Sequence, residues 1–296
     1  MSIHTTISYP SKGLKDIVHH YEFHILTEIQ EGGEKFSFFP NVANGFMFHF
    51  YHGTSATIHG GSLNRESIVN TNCFAPQWIP LEVSVYEHFY SFKVFFQPGV
   101  LFDLFNIPLG TLIHRQVHMG EELDSEFTFV YEQMHENISI SHCVSLIEQY
   151  LRHKLQDTGV GKDPQKALEK IFSDSFFTVS IKDASRELGF TSRHLARILH
   201  KRLGGSTRDF VRTMRFNRGL KVLQERPQIS LTALSYELGY YDQSHFSREF
   251  KAITGISPRT YLKAIGGGGR LLSFENDERH PRILRRAKND ASNIGY

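Results

Sequence analysis

Two sets of polar side chains in this 296-residue chain stand at matching helical positions, 51 residues apart. Arg193, Arg197 and His200 form the first set, and Ser244, Arg248 and Lys251 form the second. At about 100° per residue each set lies on one side of a helix, with Ala196 flanking the first and Ser247 the second. The opposite sides are apolar: Leu195, Ile198, Leu199 and Leu203 in one copy, Phe246, Phe250 and Ile253 in the other. Arg pairs bidentately with a guanine edge and Ser can meet any base, so such a face is suited to the major groove of double-stranded DNA. A lone arginine stripe is more often a solvated helix face, but here the same face occurs twice.

A second constellation lies upstream, where 13 of the 17 His and 16 of the 25 Phe precede residue 161. Met47, His49 and Tyr51 share one strand face, and Glu82, Ser84 and Tyr86 share another. An aromatic-walled small barrel with a few inward polar groups is the usual form of a small-ligand site, so these six are the candidate effector contacts. Metal-ligand spacing is missing: His49 and His52 fall on opposite faces of a strand, and neither His-x-His nor His-Glu-x-x-His occurs. No metal, cofactor or catalytic residue is expected, and the reading is not that of an enzyme.

The elements that position the first constellation follow from an internal repeat. Glu187-Leu-Gly-Phe190 recurs as Glu237-Leu-Gly-Tyr240, and after one inserted residue Leu195, Arg197, Leu199, Gly204, Ser206 and Phe210 match Phe246, Arg248, Phe250, Gly255, Ser257 and Tyr261. Each copy reads as helix, glycine turn and second helix, the outline of a helix-turn-helix. Ser206 with Asp209 three residues on is a capping box for a helix joining the copies, which ends before Pro227. Arg208, Arg212, Arg215 and Arg218 line that helix, where pairing with acidic neighbours is as good an expectation as phosphate contact.

Upstream, alternation at Phe46, Phe48 and Phe50 and at Phe92, Val94 and Phe96 predicts short strands between Phe36 and Phe96, forming a small barrel or sandwich. Helices follow, one with Pro98 at its first position and one capped by Ser139 with a stripe of Val144, Ile147, Leu151 and Leu155. The fold class is thus α+β for the N-terminal domain and all-α for the C-terminal domain. The expected divisions are 1–156, a linker at 157–165, the repeat domain at 166–265 and a disordered polar tail at 266–296.

Charge divides along the same line. The formal net charge of +2 is the sum of −9 over residues 1–160 and +11 over residues 161–296. A basic module is a candidate for a polyanionic partner. No apolar run reaches the roughly 18 residues of a membrane span, no signal-peptide core opens the chain, and two Cys 70 positions apart point to reduced thiols. A cytoplasmic protein is expected.

The stretch Leu238 to Leu262, LGYYDQSHFSREFKAITGISPRTYL, resembles the signature of the AraC/XylS family of bacterial transcription regulators. The resemblance extends over about 166–264 and more faintly to FFPNVANGFMFHF and VFFQPGVLFDLFNIP. It implies a tandem helix-turn-helix domain preceded by a cupin-like barrel with dimerisation helices. By the same resemblance Arg193, Ala196 and Arg197 face bases in the first unit, and Gln243, Ser244, Ser247 and Arg248 do so in the second. A homodimer, an activator role, a small effector and RNA polymerase as partner are further implications. Gly219 departs from the family pattern, where Ala is usual in the connecting helix, and is expected to loosen the coupling between the two units. Competing readings are a metal-dependent cupin-type enzyme fused to a DNA-binding module and a non-sensing architectural DNA-binding protein.

Overall fold

The computed structural model describes residues 2–27, 34–50, 56–60, 63–66, 71–86, 88–112, 117–120, 125–158, 182, 185–186, 189–266 and 282–283. Of the expected linker at 157–165, the first two residues are helical and the rest lie outside these residues, as do most of the tail and Tyr51.

Sheet precedes helix, as the alternation requires. The strands are β1 (Ser2–Ser8), β2 (Val18–Thr27), β3 (Glu34–Phe38), β4 (Gly45–His49), β5 (Ala56–Gly60), β6 (Leu63–Glu66), β7 (Thr71–Phe74), β8 (Leu81–Val85), β9 (Phe89–Phe96), β10 (Val117–His118) and β11 (Arg282–Ile283). They form a six-stranded sheet in the order β1-β2-β9-β4-β7-β10 and a second in the order β11-β3-β8-β5-β6. All the pairings are antiparallel. From the tail, Arg282 and Ile283 pair with Phe38 and Ser37.

Helix α1 (Val100–Phe105) follows β9, and α2 (Glu126–Glu136) and α3 (Ile140–Thr158) follow β10. Pro98 does not open α1: Gly99, at φ +83°, is the residue before the helix, because a left-handed backbone turns the chain off β9. One face of the six-stranded sheet, with Tyr21, Phe23, Phe46, Phe48, Phe92 and Val94, packs under these helices. Phe127 of α2 lies edge-on to Phe46 at 4.7 Å between ring centroids. Ile147 and Leu151 of α3 are buried in the same core, joined by the partly buried Val144 and Leu155. Glu148 of α3 accepts from the Ser11 amide at 2.8 Å and pairs with Arg152, which ties the start of the chain to this helix.

The C-terminal region is helical: α4 (Ser192–Leu203), α5 (Thr207–Glu225), α6 (Leu231–Glu237), α7 (Gln243–Thr254) and α8 (Pro258–Gly266). Ser206 and Asp209 cap α5 reciprocally. Gly219 is a point of close packing: a Cβ there would lie 2.8 Å from Leu238 and 3.4 Å from Phe246, so the glycine lets α5 approach the second repeat. Among the described residues no helix is long and apolar enough to cross a membrane.

The two regions interlock. Phe39 leaves β3 and joins the core of the second repeat, edge-on to Phe216 at 5.5 Å, while Val42 joins Leu195, Leu199, Leu203, Phe210 and Met214 in the first. Arg202, at the end of α4, binds Asp103 of α1 through two contacts of 2.6 and 2.7 Å, both side chains nearly buried. Gly204 and Gly205 then pass so near Gly110 and Trp78 that a Cβ at either would clash, at 2.6 and 2.4 Å respectively. Burial raises the Asp103 pKa above the ordinary carboxylate value even though Arg202 pulls it down. The pair therefore orients the two regions more than it stabilises them.

Two outcomes follow. Asp103→Ala leaves a buried guanidinium unpaired and should cost about 3 kcal/mol in urea unfolding, whereas Asp103→Leu with Arg202→Met should cost much less. Emission of Trp78, the single tryptophan, should shift to the red in the single variant only, and equal stability of the two variants would refute the assignment. Gly239, at φ +71°, turns α6 into α7, so Gly239→Ala should cost about 1–2 kcal/mol by the same measurement.

Candidate functional site

The two repeats share their turn geometry. Gly189 and Gly239 both adopt φ +71°, and Phe190 and Tyr240 donate their amides to the carbonyls of Ser185 and Ser235 at 2.7 and 2.9 Å. The second helix of each copy then begins on a capped residue: the Thr191 side chain accepts from the His194 amide, and that of Asp242 accepts from His245. Both helices run twelve residues and end at a left-handed glycine, Gly204 or Gly255. Of the first helix of the earlier copy, Lys182, Ser185 and Arg186 are described, all helical.

Capping and burial fix which faces remain outside. Leu195, Leu199 and Leu203 are buried on α4, as are Phe246, Phe250 and Ile253 on α7. Arg193, Arg197 and His200 are exposed, as are Ser244, Arg248 and Lys251, while Ala196, Ser247 and Gln243 are half-buried. Arg197 lies 3.3 Å from the His194 ring and Arg248 donates to the Ser244 carbonyl, so both guanidiniums fold back along their own helices. The Gln243 side chain accepts from the Thr232 hydroxyl at 2.7 Å, which holds it against α6. On α5, Arg212 reaches Glu249 at 3.9 Å and Arg215 covers the Tyr240 ring, so intramolecular pairing accounts for part of that stripe.

The second constellation is brought together only in part. Met47 and His49 lie on the face of the six-stranded sheet that points away from the helices, together with residues the alternation rule had not singled out. Register places Met47 beside Lys93 and Asn72, Lys93 beside Glu22, and Ser91 between His24 and His49. Glu22 bridges two histidines, with His20 at 3.1 Å and His24 at 2.9 Å. Burial, then the charges of Lys93 and His24, push the His49 pKa down to about 3, so its ring is neutral. Ser84 is buried, but Tyr86, just past β8, is 43% exposed and does not close a buried site. Glu82 pairs with Ser37 and His59 in the ladder, and its side chain lies outside the described set. The signal that could have found His20, Glu22 and His24 is their alternation with Tyr21, Phe23 and Ile25 along β2.

Comparison with known proteins places the helical region first. A family model described as a helix-turn-helix domain matches residues 184–264. The HTH-type transcriptional activator AarP of Providencia stuartii is 33% identical over 98 residues, 33% of this chain and 71% of that protein. The Msm operon regulatory protein of Streptococcus mutans is 24% identical over 189 residues, and the match spans 61% of its length and 62% of this chain. Among solved structures, ToxT from Vibrio cholerae is similar at 14% identity and a TM-score of 0.44, over 90% of this chain and 99% of that one. With identity and coverage of this order to AarP, the chain belongs to the AraC/XylS family of DNA-binding transcription regulators.

Proposed function

We propose that this protein is a sequence-specific transcription regulator, an activator, which reads two successive major-groove segments with α4 and α7. The observation that carries the reading is the duplicated exposed face: Arg193, Arg197 and His200 on one helix and Ser244, Arg248 and Lys251 on the other, each opposite a buried apolar side. Helix α5, nineteen residues or about 28 Å, is the spacer that would set the two about one turn of DNA apart. Similarity to a transcriptional activator supports the direction of regulation.

Several parts of the reading concern the rest of the chain. The two sheets form a small cupin-like barrel whose role is to receive a small effector, and the protein works in the cytoplasm with RNA polymerase as its partner. Two chains pair through the helices that follow the sheet, a reading supported by Phe129 of α2, which is 61% exposed. Residues 166–265 act as the DNA-binding unit, although Phe39 and Val42 complete its cores from outside.

Direct readout has a clear signature. Arg197→Ala and Arg248→Ala should each lower affinity for the specific site by roughly ten- to a hundredfold, about 1–3 kcal/mol, and leave affinity for random DNA almost unchanged. Fluorescence anisotropy on both duplexes checks this, and equal losses on the two would make these residues phosphate contacts. Sedimentation should show a dimer at micromolar concentration, and Phe129→Asp should give a monomer that binds two half-sites more weakly. A wild-type monomer both on and off DNA would remove the pairing.

A further inference from the structure

A strand at the edge of a sheet presents a row of backbone N–H and C=O groups with which another chain can pair. Proteins ordinarily blunt such edges with short strands, charged side chains, proline or a bulge. Three of the four edge strands follow that rule: β10 and β11 are two residues each, and β6 is four residues long and carries Arg65 and Glu66. The fourth, β1, does not. It runs seven residues, SIHTTIS, without Lys, Arg, Asp, Glu or Pro, and its register with β2 is continuous from Ser2 to Ser8. Ile7 is 37% exposed, and Tyr9, just past the strand, is 72% exposed. Among the described residues no strand pairs with the outer side of β1.

The sequence of this strand is nearly the same in both directions about Thr5. Antiparallel pairing with a second copy, about a two-fold axis through Thr5, sets Ser2 opposite Ser8, Ile3 opposite Ile7, His4 opposite Thr6 and Thr5 opposite itself. These are favourable cross-strand pairs: isoleucine on isoleucine, hydroxyl on hydroxyl and imidazole on hydroxyl, with no like charges opposed. Slipping by one or two residues separates the isoleucines and shortens the ladder. The strand therefore complements itself in one register.

We propose that β1 is a contact surface for a second copy of this chain, paired antiparallel about Thr5 so that two six-stranded sheets run on as one. The occupant is a second copy because the strand answers its own sequence residue by residue. This contact is at the sheet edge, apart from Phe129 on α2, and does not depend on pairing through the helices. A chain with both isologous faces joins pairs into larger assemblies. A ladder of seven residues is a small contact, so it forms between copies held close together, as on neighbouring DNA sites.

The test is crosslinking of the full-length protein by bismaleimidoethane at about 100 µM, a concentration chosen to populate a weak contact. Cys73 and Cys143 are buried, so the linker reports on introduced thiols. In the two-fold pair position 5 faces itself at about 5 Å between β-carbons, whereas position 8 lies about 20 Å from its own copy. Thr5→Cys should therefore link at least tenfold faster than Ser8→Cys, and Ser2→Cys with Ser8→Cys together should link as fast as Thr5→Cys. Adding Ile7→Lys to Thr5→Cys should slow linking at least tenfold with unchanged circular dichroism, because it places a charge on the exposed edge. Ile3→Glu on top of these should restore it, since positions 3 and 7 lie opposite each other. Linking should be unchanged in Phe129→Asp, which separates this contact from pairing through α2. Equal rates for Thr5→Cys and Ser8→Cys, or loss of linking in Phe129→Asp, would overturn the strand contact. Failure of Ile3→Glu to restore linking would overturn the register.

Discussion

Phe39 and Val42 are the residues on which the architecture turns. They stand only three positions apart just beyond β3, yet one completes the core around Phe216 and Phe250 and the other the core around Leu199 and Phe210. A connection of this kind removes the independence expected of a sensing module and a reading module. Each recognition helix is packed, on its buried side, against a core that the sheet region helps to fill. The bidentate Asp103–Arg202 contact and the backbone approach at Gly204 and Gly205 add direction to that packing. Apolar burial supplies the energy, and the ion pair supplies the geometry.

The exposed polar face and the docking face share α4 without competing for it. Arg193, Arg197 and His200 project from the exposed side, while Arg202, two residues beyond His200 and so about half a turn round the helix, turns toward α1. The sheet region therefore touches α4 through α1 and the segment at Gly110, away from its exposed polar face. On α7 the corresponding end is free of such an anchor among the described contacts, where Gly255 stands in open space. The duplication of the helices is therefore not a duplication of their surroundings.

The helical region was legible because its determinants are local. Ser206 and Asp209 announce α5 within four residues, and the 3.6-residue period of Leu195, Leu199 and Leu203 assigns inner and outer faces without reference to the rest of the chain. The sheet region was legible in class and less so in detail. His20, Glu22 and His24 alternate with apolar residues, a pattern that reads as a solvent face until a covering layer is known, and that layer is set by distant chain segments. The Asp103–Arg202 contact joins residues 99 apart and has no local trace. At Pro98 a local rule misplaced the helix start by two positions, since the left-handed backbone of Gly99 was needed to leave β9.

Reading by two matched helices is the central claim, and guanine methylation interference on the bound DNA tests it most directly. The account predicts two clusters of interfering guanine N7 positions about one helical turn apart on one face of the duplex, with Arg197→Ala erasing one cluster and Arg248→Ala the other. A single cluster, or two clusters that both survive each substitution, would contradict it.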